Sequence, residues 1–187
     1  MPLTIEELEI PEVKLIKPAR FYDNRGFFTE AYNKVALQAV GIEFDFVQDN
    51  ESISIEAGTL RGLHFQAAPY DQTKLIRVLS GAILDIAVDV RDRSPTYGCW
   101  VKAEISAESG KQVLVPRGFL HGYMTLEPNT HVLYKVDTHY NQEAEGCVAW
   151  NDPDLAIDWG PLAKNVILSD KDKTAPLFAN FQSGLKA

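Results

Sequence analysis

The stretch Gly110-Lys-Gln-Val-Leu-Val-Pro116-Arg-Gly118-Phe-Leu-His121 decides how the rest of the chain is read. Residues 112–115 are a short β-rich run, closed off by Gly110 on one side and by Pro116 and Gly118 on the other. A second β-rich run, 122–126, follows His121 at once. The same unit recurs outward in both directions. Residues 44–47, 59–66, 74–79, 82–91, 100–105 and 131–137 are β-rich and bounded by Gly, Pro, Asn or Asp. Many short strands with few helices predict a mainly β sandwich or barrel.

One helix is expected over 33–40. Tyr32, Val35, Ala36, Ala39 and Val40 follow the i, i+3, i+4, i+7, i+8 stripe, and Gly41 can end it. Residues 73–91 read as a hairpin, with Ser80-Gly81 as a two-residue turn. In that register Val78 faces Ile83, Ile76 faces Asp85 and Lys74 faces Ala87. Lys74 and Asp85 then share one face as diagonal neighbours, and Leu75, Leu79, Leu84, Ile86 and Val88 share the other. A Lys and an Asp on so apolar a hairpin point to a polar pocket. The plain alternative is a solvent-facing sheet surface.

A length of 187 residues corresponds to about one domain. With 45% hydrophobic and 24% charged residues, the composition excludes a disordered chain and a collagen-like repeat. Asp85 and Asp89 interrupt the longest apolar stretches, so no membrane span is expected. Lys and Arg number 18 against 26 Asp and Glu, a net charge of −8, which excludes a general nucleic-acid binder. A local Arg/Lys cluster can still hold one small phosphate compound. Cys99 and Cys147 lie far apart with no C-x-x-C, as in a reducing compartment. Residues 1–9 carry acids and no apolar run, so a cytoplasmic location is expected rather than secretion.

Two spaced motifs carry a resemblance. The opening stretch is G-x5-P-x-G-x2-H, and Gly58-Thr-Leu-Arg-Gly-Leu-His64 is G-x5-H. The pair resembles the two motifs of the cupin superfamily. The resemblance implies a cupin-type jelly-roll β-barrel with a few short helices and a ligand cavity inside. It also implies a single domain over 1–187, with the barrel core at about 44–150 and the terminal segments packed around it. Metal-binding cupins place His, His, Glu and His where this chain has His64, Gln66, Lys74 and His121. An ammonium ~4 Å from a divalent cation is repelled by about 8 kcal/mol at an effective dielectric of 20. The position therefore reads as a metal site rebuilt for an anion, and no metal is expected. A cation facing histidines suits removal of a proton next to a carbonyl, with the cation stabilising the enolate oxygen.

Longer segments narrow the resemblance. Asp23-Asn-Arg25-Gly-Phe-Phe28-Thr-Glu30, Phe46 to Ser54, Gly58 to Gln66, Ser94-Pro-Thr-Tyr-Gly98, Pro116 to Gly122, Tyr134-Lys135, Trp150 to Pro153 and Leu168-Ser-Asp-Lys-Asp172 together resemble the dTDP-4-dehydrorhamnose 3,5-epimerase family. The resemblance implies a cofactor-free homodimer that inverts carbons 3 and 5 of a dTDP-linked 4-keto-6-deoxy sugar on the route to dTDP-L-rhamnose. It implies His64 as general base, Tyr134 as acid, Asp172 orienting His64 and Lys74 stabilising the enolate. Substrate contacts fall on Arg25, Glu30, Gln48, Asp49, Asn50, Arg61, Lys74, His121, Glu145 and Lys171. Phe28 and Tyr140 are the aromatic candidates for stacking.

Several readings stay open. Strict alternation over 60–66 puts Arg61 and His64 on opposite faces. Either Gly62 is a bulge that resets the face, or Arg61 reaches the phosphates from another side. Ser169-x-x-Asp172 is also a capping-box pattern, so the carboxylate has a structural use at a helix start. His64 and His121 have plain readings as a core histidine and a turn residue, and Lys74 as an exposed strand lysine. The rival functions are a single-carbon epimerase, a metal-dependent cupin oxygenase and a non-catalytic sugar-nucleotide-binding cupin.

Overall fold

The computed structural model describes residues 3–181. Among these residues, one antiparallel sheet has the strand order β1 (Leu3–Glu7), β2 (Lys14–Pro18), β10 (Gln112–Val115), β7 (Lys74–Ser80), β12 (Thr130–Val136), β5 (Gln48–Ser54). A second has the order β13 (Glu145–Cys147), β6 (Leu60–Gln66), β11 (Phe119–Thr125), β8 (Ala82–Asp89), β9 (Trp100–Ser106). A separate ribbon pairs β3 (Phe21–Asp23) with β4 (Gly26–Phe28). The helices are short: α1 (Lys34–Gln38) and α2 (Asp170–Lys173). The architecture is mainly β, as the strand pattern predicts, and a cupin-type jelly roll, as the motif resemblance implies.

The apolar residues sort into three layers. Ile76, Val78, Ile83, Ala87, Val113, Phe119, Tyr123 and Val132 come from both sheets and fill the space between them. Leu60, Leu63, Ile86, Val88 and Met124 line the outer face of the second sheet, covered by Leu155, Trp159, Phe178 and Phe181. Ile16, Leu75 and Leu114 line the outer face of the first sheet, covered by Leu37, Ile42, Phe44 and Phe46. The central strands β7, β8, β10 and β11 therefore bury both faces, and burial of this apolar area is the main stabilising term.

Four sequence expectations are corrected. Residues 74–89 do not form a hairpin: β7 pairs with β10 and β12, whereas β8 pairs with β11 and β9. Both strands are apolar on both faces, so each sits inside its own sheet rather than against the other. The chain changes sheets at Gly81, where φ is +77° and a Cβ would overlap the Thr130 hydroxyl. Lys74 and Asp85 consequently face one interior from opposite sheets. The apolar face that the hairpin reading gave to Leu75, Ile86 and Val88 is split between two buried layers. Helix α1 is shorter than expected and buries Leu37, while Val35 and Val40 are exposed. Asn33 caps it by accepting from the Ala36 N–H, and of the expected stripe Tyr32 packs on the layer that Leu37 joins. Residues 44–47 are not a strand; Phe44 and Phe46 instead pack on the outer face of the first sheet, and the strand begins at Gln48. The N-terminal strands β1 and β2 were not anticipated; they extend that sheet through pairing of β2 with β10.

The bulge reading is borne out. His64 pairs with His121 and Arg61 with Tyr123, so three steps on β6 span two steps on β11. The extra residue resets the alternation. Leu60, Leu63 and Phe65 pack outward, and Arg61 and His64 both face the interior. Gly62 has φ +136°, and a Cβ there would meet Gly122 Cα at 2.5 Å and the His121 carbonyl oxygen at 3.0 Å. The 94–98 motif is structural. Asp89 accepts from Ser94 Oγ at 2.5 Å, Thr96 Oγ1 at 2.6 Å and Arg91 Nη2 at 2.7 Å. Burial opposes its ionisation, but these donors outweigh burial and lower its carboxyl to about 2.

Gly62→Ala is expected to destabilise the fold by about 2–4 kcal/mol, from left-handed backbone strain plus the backbone clash. Urea unfolding of wild type and variant checks this; a loss below about 1 kcal/mol would contradict the tight packing of β6 on β11.

Candidate active site

Between the two sheets lies a cavity of about 460 Å³. His64 on β6, His121 and Tyr123 on β11, Lys74 on β7, Tyr134 on β12 and Asp172 on α2 line it, with Arg61 and Ser52. The second sheet supplies both histidines, and the first supplies Lys74 and Tyr134.

Helix α2 starts at Ser169, whose hydroxyl accepts from the Asp172 N–H at 3.1 Å and donates to Asp172 Oδ2 at 2.9 Å. The capping role and the His64 role of Asp172 are therefore the same geometry. His64 Nε2 donates to Asp172 Oδ1 at 2.6 Å. A carboxylate only accepts, so this bond leaves a lone pair on Nδ1 of neutral His64. Burial opposes the Asp172 charge, but His64, Ser169 and the Gly62 N–H outweigh it and hold the carboxyl below its ordinary range. The bulge glycine thus contributes a donor to the residue that orients His64.

A second buried pair lies alongside. His121 Nε2 donates to Asp85 Oδ2 at 2.9 Å. Burial holds the His121 pKa below its ordinary value, against the pull of Asp85. Burial also lowers the Lys74 pKa to about 8, with Asp85 and Glu145 opposing. Its ammonium is therefore charged at pH 7 and sparsely solvated, a strong donor for an oxyanion. The Tyr134 hydroxyl is held above its ordinary pKa by burial and by Tyr123, so it stays protonated. The arrangement offers a base with a free lone pair on one wall and a proton donor and a cation on the other.

The remaining candidates divide. Lys171 Nζ pairs with Glu145 Oε2 at 2.6 Å, and the Tyr140 hydroxyl donates to the same oxygen at 3.2 Å. Glu145 is on β13, next to β6, so the three form a cluster beside the cavity. Gln48 and Asn50 share the inner face of β5, with Asn50 opposite Tyr134. Asp49 does not join them: alternation turns it to the outer face, where it binds Lys135 Nζ at 2.8 Å. Arg25, Phe28 and Glu30 also lie outside the cavity. Arg25 is exposed and pairs with Asp23 at 2.6 Å on the β3–β4 ribbon; Phe28 is 63% exposed; Glu30 accepts from Asn33 at 2.6 Å. Tyr123 and Ser52 were not singled out from the sequence. Tyr123 is two residues past His121 on one strand, a period-2 signal that was available.

The metal-cupin donor set does not fit here. Gln66 donates to the Tyr70 carbonyl at 2.6 Å and accepts from the Asn141 N–H at 2.7 Å, so its amide pins two loops. Lys74 occupies the carboxylate position as a cation. Among the described residues no group of three His, Cys, Asp or Glu is arranged to hold a metal ion.

A jelly roll with a His–Asp pair, an ammonium and a phenol around one cavity defines a class: an isomerase that works by proton transfer. The family model for dTDP-4-dehydrorhamnose 3,5-epimerase matches residues 7–180. The Sinorhizobium fredii enzyme of that name is 47% identical over 171 residues, covering 91% of this chain and 87% of its own. A crystal structure of the Bacillus anthracis enzyme with TDP and pyrophosphate bound superposes with a TM-score of 0.92 at 50% identity, covering 95% of this chain and 100% of that one. The Legionella pneumophila enzyme in complex with dTDP-4-keto-L-rhamnose gives 0.91 at 42% identity, covering 97% and 95%. The chain belongs to the dTDP-4-dehydrorhamnose 3,5-epimerase family.

The lowered Lys74 pKa has a stability consequence. The unfolded chain holds this proton more tightly than the folded one, so the charge opposes folding below pH 8 and the penalty fades as pH rises toward 10.5. Lys74→Met should therefore unfold at a higher temperature than wild type at pH 7, with the gap closing above pH 10. Thermal unfolding across pH checks both the sign and the window.

Proposed function

We propose that this chain converts dTDP-4-dehydro-6-deoxy-D-glucose to dTDP-4-dehydro-L-rhamnose by inverting carbons 3 and 5. The observation that carries the reading is the placement of His64 and Tyr134 on facing sheets of one cavity, with the Lys74 ammonium in the same space. His64 takes a proton from the carbon next to the ketone. The C–H electrons move to the carbonyl oxygen, and Lys74 stabilises the enolate formed. Tyr134 then donates its proton to the carbon from the opposite face. Protonated His64 and the tyrosinate return to their starting states through solvent. Carbons 3 and 5 flank the same carbonyl at carbon 4, so one enolate-stabilising group serves both. Asp172 holds His64 in the required tautomer. Arg61 and Lys171 are cations suited to the diphosphate, Arg61 by bidentate contact.

We propose further that the working form is a homodimer in which the β3–β4 ribbon completes the partner's site. Phe21, Tyr22, Phe27 and Phe28 are exposed by 46, 72, 51 and 63% on this isolated two-stranded element. An apolar ribbon of that kind needs cover. In that arrangement Arg25, Phe28 and Glu30 act across the interface. The two unpaired cysteines fit a cytoplasmic location.

The two faces of the sugar make the roles separable. In heavy water, His64→Ala should abolish deuterium entry at both carbons, because no enolate forms. Tyr134→Phe should keep exchange from the His64 side while inversion falls about 10²–10⁴-fold, the usual contribution of a general acid. Proton NMR follows both. Near-normal inversion by Tyr134→Phe would reassign the acid, and inversion at one carbon by wild type would make the chain a single-carbon epimerase.

The same assignment sets a pH profile. The kcat/KM value should fall as pH rises through about 8, where free Lys74 loses its proton. Lys74→Met should be slower by about 10²–10³-fold, as on losing one oxyanion donor, and should lack that limb. Steady-state rates between pH 6.5 and 9.5 decide it.

A further inference from the structure

One polar pair in the cavity has no part in the chemistry above. Tyr123 is 5% exposed, and its hydroxyl lies 2.7 Å from Ser52 Oγ. Tyr123 stands on β11, on the sheet that carries His64; Ser52 stands on β5, in the sheet that carries Tyr134. The pair is therefore a bridge between the wall with the base and the wall with the acid. The other side-chain links from β5 to the second sheet among the described residues are longer: Arg61 reaches Ser54 Oγ at 3.4 Å and the Ile53 carbonyl at 3.3 Å.

Tyr134 depends on its surroundings for placement. Its side chain packs against the cluster that contains Tyr123. Its hydroxyl makes no hydrogen bond to a described residue. Strand β5 is the edge of its sheet and pairs with β12, with Asn50 opposite Tyr134 and Ser52 opposite Val132. A tie from Ser52 to β11 thus holds the edge beside the acid against the strand that pairs with the base strand, β6. Proton return on the far face demands a short, set distance between the two walls. Return on the near face demands nothing of Tyr134. Misplacement by 1 Å costs a step of this kind about 10²-fold.

We propose that Tyr123 and Ser52 form a positioning strut that sets the gap between His64 and Tyr134, and so decides how often an enolate is inverted rather than returned to starting material. The inference rests on the proton-transfer reading above and adds two residues to it. Neither touches the reacting atoms in this account; both act through the placement of Tyr134.

The test measures two rates on each protein in heavy water: deuterium entry into unreacted substrate, and inversion. The readout is their ratio. Tyr123→Phe keeps the ring and removes the bridge, and Ser52→Ala removes it from the other side. Each should raise exchange relative to inversion about tenfold or more, with exchange itself little changed. The double variant should match the singles, since all three lack the same bond. Ser52→Thr keeps a hydroxyl and should return the ratio toward wild type. If Tyr123→Phe does not fold, Ser52→Ala and Ser52→Thr decide the matter alone. A variant in which both rates fall together, or neither changes, overturns the strut, because general loosening does not alter the partition. Wild-type protein that neither exchanges nor inverts overturns the proposed function and the strut with it. Wild type that inverts, with variants of unchanged ratio, overturns the strut alone.

Discussion

The single extra residue at Gly62 is the constraint on which the site depends. Without it, β6 would alternate strictly, and Arg61 and His64 would face opposite sides of the sheet. With it, both reach the interior, and Leu60 and Leu63 stay on the outer layer. The local geometry leaves no room for a side chain, because Gly122 and the His121 carbonyl sit against Gly62. The Gly62 N–H then points to Asp172, the carboxylate that orients His64. One glycine links the register of a strand, the polarity of the cavity and the carboxylate paired with His64.

The second constraint is the division of labour between the sheets. Because the chain crosses at Gly81 instead of folding back, Lys74 and Asp85 face each other across an interior rather than lying on one surface. Burial in that interior pushes the Lys74 pKa down to about 8, with Asp85 and Glu145 opposing. A half-buried ammonium is costly to the fold and a strong donor for an oxyanion, and both effects arise from the same loss of solvent. The His64–Asp172 and His121–Asp85 pairs follow the same logic, each holding an imidazole by a charge-assisted bond.

Much of the fold was legible because strand signals are local. Short β-rich runs between Gly, Pro, Asn and Asp located β6, β8, β9 and β11 of the second sheet but only β7, β10 and β12 of the first, and the motif built on Gly110, Pro116, Gly118 and His121 carried the resemblance that implies the jelly roll. Pairing was not legible. The 73–91 segment has every local mark of a hairpin, and only the apolar character of both faces of both strands hinted that each needed neighbours on two sides. The α1 stripe failed for a related reason: the face that a five-residue helix buries is set by the layer it packs on, and that layer takes Leu37 and Tyr32. The β3–β4 ribbon carries too few residues for any alternation to register.

For the site, motif spacing singled out His64, Lys74 and His121, the family resemblance added Tyr134 and Asp172, and the structure gathers all five around one cavity. Asp49 fell out because alternation sends neighbours on a strand to opposite faces, and Lys135 waits on the outer one. What the sequence by itself determined is the chemistry available: an ammonium where metal cupins have a carboxylate, histidines at the motif ends, and a chain too acidic for nucleic acid. Only the tertiary structure decided which groups confront each other: His64 on one sheet, Tyr134 on the other, and a hydroxyl bridge between them. The reason is physical. Side-chain type and strand period are properties of a few neighbouring residues, whereas the gap between two walls depends on burial and hydrogen bonds between segments dozens of residues apart.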